Sequence, residues 1–373
     1  MRNNAAIIKE LDIEGYRSIQ KLVLKFGQIN VITGANGCGK SNVYKTIYLL
    51  AQAAKGELAQ TLALEGGVPS LMWAGAKRRA NFNKTEARLN LRAICTDLSY
   101  ELSCGIPVPV PYSMFLLDPE VKQEAVWLGD KKRPSTLLLE RDNSTGFIFD
   151  QEQNKHTYPF FLSNSESVLS QLREPHLYPE IAALSKQLHN WRFYHNFRTD
   201  QNSLLRQPQI GVRTTVLSNT GYDLAAALRT IMEVGDDNKL NEAIELAFPG
   251  SKLSIIDPYG KSRFEIQLQM KWILRPLTAS ELSDGTLRYL CLVAALLSPR
   301  LPLVMVLNEP EMSLHPDLIP PLAELIIYAA ASSQIIITTH SQQLVKILQQ
   351  NPLSNTINLT MTENGTQIKN DYS

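Results

Sequence analysis

Hydrophobic positions recur every second residue in two parts of the chain and fuse into unbroken apolar runs near its end. Ile7, Ile8, Leu11 and Ile13 open a strand, and Leu22, Leu24 and Phe26 alternate with Lys21, Val23 and Lys25. Ile29, Val31 and Ile32 form a third short strand, after which the spacing becomes helical from Asn42 to Ala54. Beyond residue 81 alternation returns, as in residues 89–94 and 100–103, and predicts antiparallel strands. Pro107, Pro109 and Pro111 confine that stretch to a sheet edge or an extended loop. Val168, Leu169, Leu172, Ile181, Leu184, Leu188 and Trp191 restore helical spacing over 165–191, and Arg192, Phe193 and Tyr194 read as a strand returning to the core. Helices at 222–233, 238–248 and 289–297 and strands at 253–256 and 264–270 follow. Residues 303–307 and 335–337 are continuous apolar runs, the signature of central parallel strands, with a right-handed crossover helix near 318–332 between them. The pattern predicts an α/β fold, a mixed β-sheet core flanked by helices. Its halves, 1–80 and 196–373, would be separated by an inserted α+β lobe at 81–195.

The turn between the third strand and the first long helix carries the chemistry. Residues 34–41 read Gly-Ala-Asn-Gly-Cys-Gly-Lys-Ser, the phosphate-loop pattern G-x-x-x-x-G-K-[ST] in its strand–loop–helix setting. Glycines let consecutive N–H groups turn inward around a phosphate, and the helix N-terminus adds partial positive charge. Asn36, Gly37, Cys38, Gly39 and Asn42 line this candidate nucleotide site. Lys40 would reach the β- and γ-phosphates, and the Ser41 hydroxyl would sit on Mg2+. Just ahead, Arg17 lies in the turn Gly-Tyr-Arg-Ser-Ile and is a candidate to face the nucleotide.

Three later stretches extend the picture. The apolar run 303–307 ends in Asn308-Glu309-Pro310-Glu311; Asn308 is placed to hold Mg2+ through water, and Glu309 to orient and deprotonate an attacking water. The second run ends in His340, a candidate γ-phosphate sensor at the carboxyl edge of the sheet. Residues 282–288, Leu-Ser-Asp-Gly-Thr-Leu-Arg, open an apolar helix with Ser283 and Gly285 at its anion-binding end. One triphosphate does not need two such helix ends, so this one would serve a nucleotide held by another copy.

Composition narrows the alternatives. Hydrophobic residues make up 44% and charged residues 20% of 373 residues, with a formal net charge of +1, so no global field attracts a polyanion. Cys38, Cys95, Cys104 and Cys291 form no C-x-x-C pair and read as reduced cytoplasmic thiols. No leader pattern opens the sequence and no run of about 18 apolar residues exists, so neither a signal peptide nor a membrane span is expected. The basic clusters at 77–79 and 131–133 read first as solvated surface. Asn83-Lys84-Thr85-Glu86 only approximates a guanine-reading motif, and no G-x-S-x-G or H-E-x-x-H element is present.

Taken in order, residues 34–41, 282–288, 308–311 with Leu314-His315-Pro316, and His340 resemble the Walker A, signature, Walker B with D-loop, and switch-histidine elements of ABC-type ATPases. Residues 15–19 and the Asn36 and Asn42 form of the phosphate loop resemble the SMC/RecF/OLD-like group in particular. The resemblance implies an ATP- and Mg2+-dependent ATPase. It also implies a homodimer with each ATP held between Lys40 and Ser41 of one copy and Ser283 and Gly285 of the other. DNA, in repair or antiviral defence, and a separately encoded effector are the partners it suggests. Three departures stand out: Asn308 replaces the usual aspartate, which predicts slow hydrolysis; long coiled coils are absent; and no TOPRIM nuclease is expected after His340. The glutamine of the Q-loop stays open among Gln151, Gln153 and Gln171.

Overall fold

The structure, a computed structural model, describes residues 7–75, 88–107, 114, 118–150, 152 and 154–369. The basic cluster at 77–79, the segment 83–86, most of 107–111, Gln151 and Gln153 lie outside the described residues. The chain divides into two units and crosses between them several times, inside the strands Ile29–Gly34 and Ser354–Thr362 among other points.

One unit comprises the described residues within 7–27, 32–191 and 357–369. Its sheet is antiparallel. Ile8–Tyr16 pairs with Ile19–Lys25, setting Leu11 opposite Leu24 and Ile13 opposite Leu22, so the alternating apolar residues fall on one face. All four are buried. On its other edge Ile8–Tyr16 pairs with Arg88–Cys95, and Leu98–Gly105, Glu120–Leu128, Leu137–Asp142, Thr145–Phe149 and Lys155–Thr157 then add one after another. The strands after residue 88 thus extend the sheet that the N-terminal strand begins. The helix Lys40–Lys55 packs on Val168–Gln171 and Pro179–His189. The helical spacing expected across 165–191 resolves into two helices, because Pro175 and Pro179 cannot sit inside one.

A buried ion pair anchors the strands of this unit to the segment before Val168–Gln171. Glu124 and Arg141 have no exposed side-chain surface and meet at 3.0 Å. The remaining polar atoms are engaged. Tyr100 Oη and Ser167 Oγ donate to Glu124 Oε1 at 2.5 and 2.6 Å, Val168 N donates to Oε2 at 3.0 Å, and Arg141 donates to the carbonyls of Ser163 and Glu166. Burial, and then the Glu124 charge, push the Tyr100 phenol well up, so it stays a donor. Removing one partner strands a buried charge. Glu124→Ala is expected to cost about 3–5 kcal/mol, read from the midpoint of denaturant unfolding, whereas neutralising exposed Lys131 should leave it unchanged.

Among the described residues the other unit comprises 28–31 and 192–356. The apolar runs are central strands as expected: Val304–Asn308 pairs in parallel with Gln334–Thr338, and every residue of both is buried. Arg192–Tyr194 flanks them in parallel. On the far side Ile335 N donates to the Gln28 carbonyl at 2.9 Å, which ties in the start of Ile29–Gly34. The helices Leu224–Val234, Asp284–Leu296 and Ile319–Ala329 contribute the largest block of core residues. Lys252–Ile256, Arg263–Gln269 and Leu277–Thr278 form a separate small antiparallel sheet. Among the described residues no helix is long and apolar enough to cross a membrane.

Candidate nucleotide site

The phosphate loop is built by close approach of backbone. Gly34 has φ +147, and a Cβ there would sit 2.2 Å from the Leu359 carbonyl oxygen. Gly39 has φ +105, and its Cβ would lie 2.2 Å from Thr366 Oγ1 and 3.0 Å from Ser18 Oγ. No side chain fits at either point. Gly39 caps the helix Lys40–Lys55 without any side-chain hydrogen bond, and no acidic residue stands in the first turn. The N–H groups at this helix start therefore face neither a side-chain cap nor a competing carboxylate, as an anion site requires. Asn36, Gly37 and Ser41 are exposed, Cys38 is buried, and Lys40 is 4% exposed. The Lys40 ammonium folds back on its own loop, donating to the carbonyls of Gly34 and Ala35 at 2.8 and 2.9 Å.

Asn42 braces the loop rather than standing free: its Nδ2 donates to Ser18 Oγ at 2.7 Å, and Ser18 Oγ meets Thr366 Oγ1 at 2.8 Å. Ser18 belongs to the turn at residues 15–19 already set apart in the sequence, whereas Thr366 carries no motif and arrives from the strand Gly365–Ile368 at the far end of the sequence. Arg17 adopts φ +45 and its Nη2 meets Glu65 Oε2 at 2.5 Å; Lys45 Nζ reaches the same oxygen at 2.6 Å. Burial opposes ionisation of Glu65, but the hydrogen bond and charge of Lys45, and then Arg17, hold its carboxyl below the ordinary value. The guanidinium expected to face nucleotide is thus held by an acid 48 positions away.

In the other unit, Asn308, Glu309 and His340 come together at the carboxyl ends of the parallel strands. Asn308 is 3% exposed and pairs in register with Thr338, whose hydroxyl donates to Asn308 Oδ1 at 2.7 Å. Glu309 takes φ +48, a region that a residue with a Cβ seldom enters, and its N–H donates to the Thr338 carbonyl at 2.8 Å. Its Oε1 lies 3.3 Å from His340 Nε2, and both side chains are partly exposed. Glu311 organises the turn beyond: its Oε1 accepts from Thr339 Oγ1 at 2.6 Å and from the N–H groups of His340 and Ser341 at 2.9 and 3.1 Å. Arg288 is buried in the same unit. Burial lowers its pKa, opposed by the carboxylates of Glu311 and Glu309.

The helix Asp284–Leu296 is capped by Ser283, whose Oγ accepts from Thr286 N at 3.1 Å. Arg206 fixes the approach, donating to the Leu282 carbonyl at 2.7 Å and to Asp284 Oδ1 at 2.6 Å. A Cβ on Gly285 would meet the Ser313 carbonyl oxygen at 2.8 Å. Ser283, Gly285, Ser313, His315 and Asp317 share an open pocket of about 610 Å³. Gln171 is spent on the carbonyls of Ser163, Glu166 and Ser167. His195, which sequence reasoning passed over, contacts Asn308 directly, with Nδ1 2.7 Å from the amide Nδ2.

Known proteins resemble this chain over nearly its whole length. An "ATP/GTP phosphatase" of Helicobacter pylori is 19% identical over 351 residues, covering 92% of this chain and 88% of that protein. An Smc head bound to the C-terminal winged-helix domain of ScpA superposes with a TM-score of 0.54 at 15% identity, covering 97% of each chain. The Pyrococcus furiosus Smc head with an extended coiled coil, bound to the C-terminal domain of ScpA, gives 0.51 at 13% identity, covering 97% of this chain and 96% of that one. At these identities the likeness establishes the fold, the α/β fold of SMC head domains. The profile of the family described as "AAA domain, putative AbiEii toxin, Type IV TA system" matches residues 29–346, and the chain belongs to that family of ATPases.

Proposed function

We propose that the chain binds and hydrolyses ATP and that nucleotide binding drives two copies together. The observation that carries the reading is the loop at residues 34–41, where an uncapped, acid-free helix start follows two glycines that no other residue could replace. The name of the Helicobacter pylori relative, which specifies nucleotide phosphatase activity, supports hydrolysis.

Ser41 and Asn308 each offer an oxygen of the kind Mg2+ prefers. When bound, the cation would neutralise charge on the β- and γ-phosphates. Lys40 would leave the Gly34 and Ala35 carbonyls for phosphate oxygens. Glu309 would accept the proton of the attacking water, and His340, paired with Glu309, would sense the γ-phosphate. Ser283 and Gly285 would close on the nucleotide of the second copy.

Light scattering of full-length protein with and without Mg2+–ATP tests the dimer. Mass should double only with nucleotide. Ser283→Arg puts a long cation at the exposed helix cap. It should abolish the doubling yet leave ATP affinity within a few-fold, because losing the cap costs the helix only about 1 kcal/mol. An unchanged mass in wild type would sink the nucleotide-driven dimer.

A second reading is favoured by Asn308. Both ends of its amide are engaged, and it brings no charge to a cation, so the ATP-bound dimer would be long-lived and gate a separate effector. Action on DNA is the alternative output. In the described residues its candidate contact is 131–133, where Lys132 already pairs with Glu101 at 3.3 Å. Salt-sensitive DNA binding that drops when this cluster is neutralised would favour DNA over the effector.

A further inference from the structure

The pairing of Arg192–Tyr194 with Val304–Asn308 runs Arg192 to Met305, Phe193 to Val306 and Tyr194 to Leu307. The next position, His195, therefore falls opposite Asn308, and on the other side Asn308 falls opposite Thr338. Three side chains at the carboxyl ends of neighbouring strands make a row. Thr338 Oγ1 donates to Asn308 Oδ1 at 2.7 Å, and Asn308 Nδ2 donates to His195 Nδ1 at 2.7 Å. Arg288, 5% exposed, steadies the backbone and neighbour of the histidine, reaching the His195 carbonyl at 3.3 Å and Asn196 Oδ1 at 3.5 Å.

The chemistry of the row follows from the residue at its centre. A carboxylate presents oxygen to a cation or its water whichever way it turns. A carboxamide does so in one of two orientations, and the other presents N–H groups. A hydroxyl alone cannot fix the choice, because it can donate to oxygen or accept from nitrogen. A lone pair on the opposite side can. We propose that His195 is a positioning residue: by accepting from Nδ2 it fixes Asn308 with its oxygen on the Thr338 side, and so lets an asparagine serve where a carboxylate would need no help. This inference rests on the nucleotide-hydrolysis reading above.

The test uses full-length protein and two readouts. In nucleotide-free protein, 15N NMR of the imidazoles should find His195 with its proton on Nε2 and Nδ1 accepting, and Asn308→Ala should shift Nδ1. In steady-state ATP hydrolysis, His195→Ala should lower kcat about tenfold or more and raise the Mg2+ concentration for half-maximal rate. KM for ATP should stay within about twofold, as expected when an interaction outside substrate binding is lost. His195→Asn, whose amide oxygen can occupy the place of Nδ1, should recover most of the rate. In an Asn308→Asp background, His195→Ala should cost little further, since a carboxylate needs no orienting. Equal losses for Ala and Asn at 195, or an undiminished loss in the Asn308→Asp background, would overturn the proposal. If wild type shows no turnover, the hydrolysis reading fails, and the tautomer decides for His195 alone: a proton on Nε2 supports the orienting bond and a proton on Nδ1 overturns it.

Discussion

Glu309→Gln is expected to lower ATP turnover by roughly two to four orders of magnitude, the range spanned by a positioned general base, while the nucleotide-bound dimer persists. The substitution keeps size and hydrogen-bonding shape and removes only the basic oxygen. Three features make the position sensitive. The backbone at Glu309 is held at φ +48, and its N–H is tied to the Thr338 carbonyl at 2.8 Å, so the side chain leaves the strand end in a fixed direction. The carboxylate reaches His340 Nε2 at 3.3 Å, a second group able to register γ-phosphate loss. Glu311 is not placed to substitute for it, because its Oε1 is committed to Thr339, His340 and Ser341 and its Oε2 is buried away from solvent. Single-turnover hydrolysis and light scattering on the same samples check both halves of the expectation. A rate within tenfold of wild type would remove Glu309 from the role of base. A dimer that dissolves in the variant would instead place the carboxylate in the dimer contact.

Much of this arrangement was legible from residue order, and the parts that were not share a cause. The two buried parallel strands announced themselves as unbroken apolar runs, and the polar residues just past them, Asn308, Glu309 and His340, had to emerge at one sheet edge. The phosphate loop was legible because its chemistry is local: eight consecutive residues fix both the turn and the helix start. What escaped depends on pairings between distant positions. His195 is one of six histidines with no pattern among them, and only the strand register sets it against Asn308. Arg17 looked free because its partner Glu65 follows a helix that carries no charge motif. Glu124 and Arg141 carry no motif in the sequence, yet both are fully buried, Glu124 against Tyr100 and Ser167. The break between Val168–Gln171 and Pro179–His189 was visible in Pro175 and Pro179 but lost beneath a regular apolar spacing.

Lys40→Ala should abolish measurable hydrolysis and weaken ATP binding by roughly a hundredfold or more, the scale on which a preorganised charge-stabilising donor acts. Lys40 is 4% exposed and its ammonium is bonded to two carbonyls of its own loop, so most of its desolvation cost is met before nucleotide arrives. Exchanging neutral carbonyl acceptors for phosphate oxygens then gains charge-assisted bonds at little further cost. The same two bonds raise a structural objection, since alanine also removes the tie that closes the loop. Lys40→Met also loses both bonds but retains the aliphatic stem, so it separates lost packing from lost charge, and the unfolding midpoint without nucleotide reads whether the tie itself holds the loop. If phosphate recognition is the role of Lys40, Met and Ala should lose ATP affinity alike in equilibrium titration, and both should unfold close to the wild-type midpoint in the absence of nucleotide. Wild-type protein should gain stability on adding Mg2+–ATP and the two variants should not, because a ligand stabilises only through differential binding to the folded state. Affinity retained by Lys40→Met would instead make the loop at residues 34–41 a structural turn, and the search for nucleotide would move to the pocket beside Ser283 and Gly285.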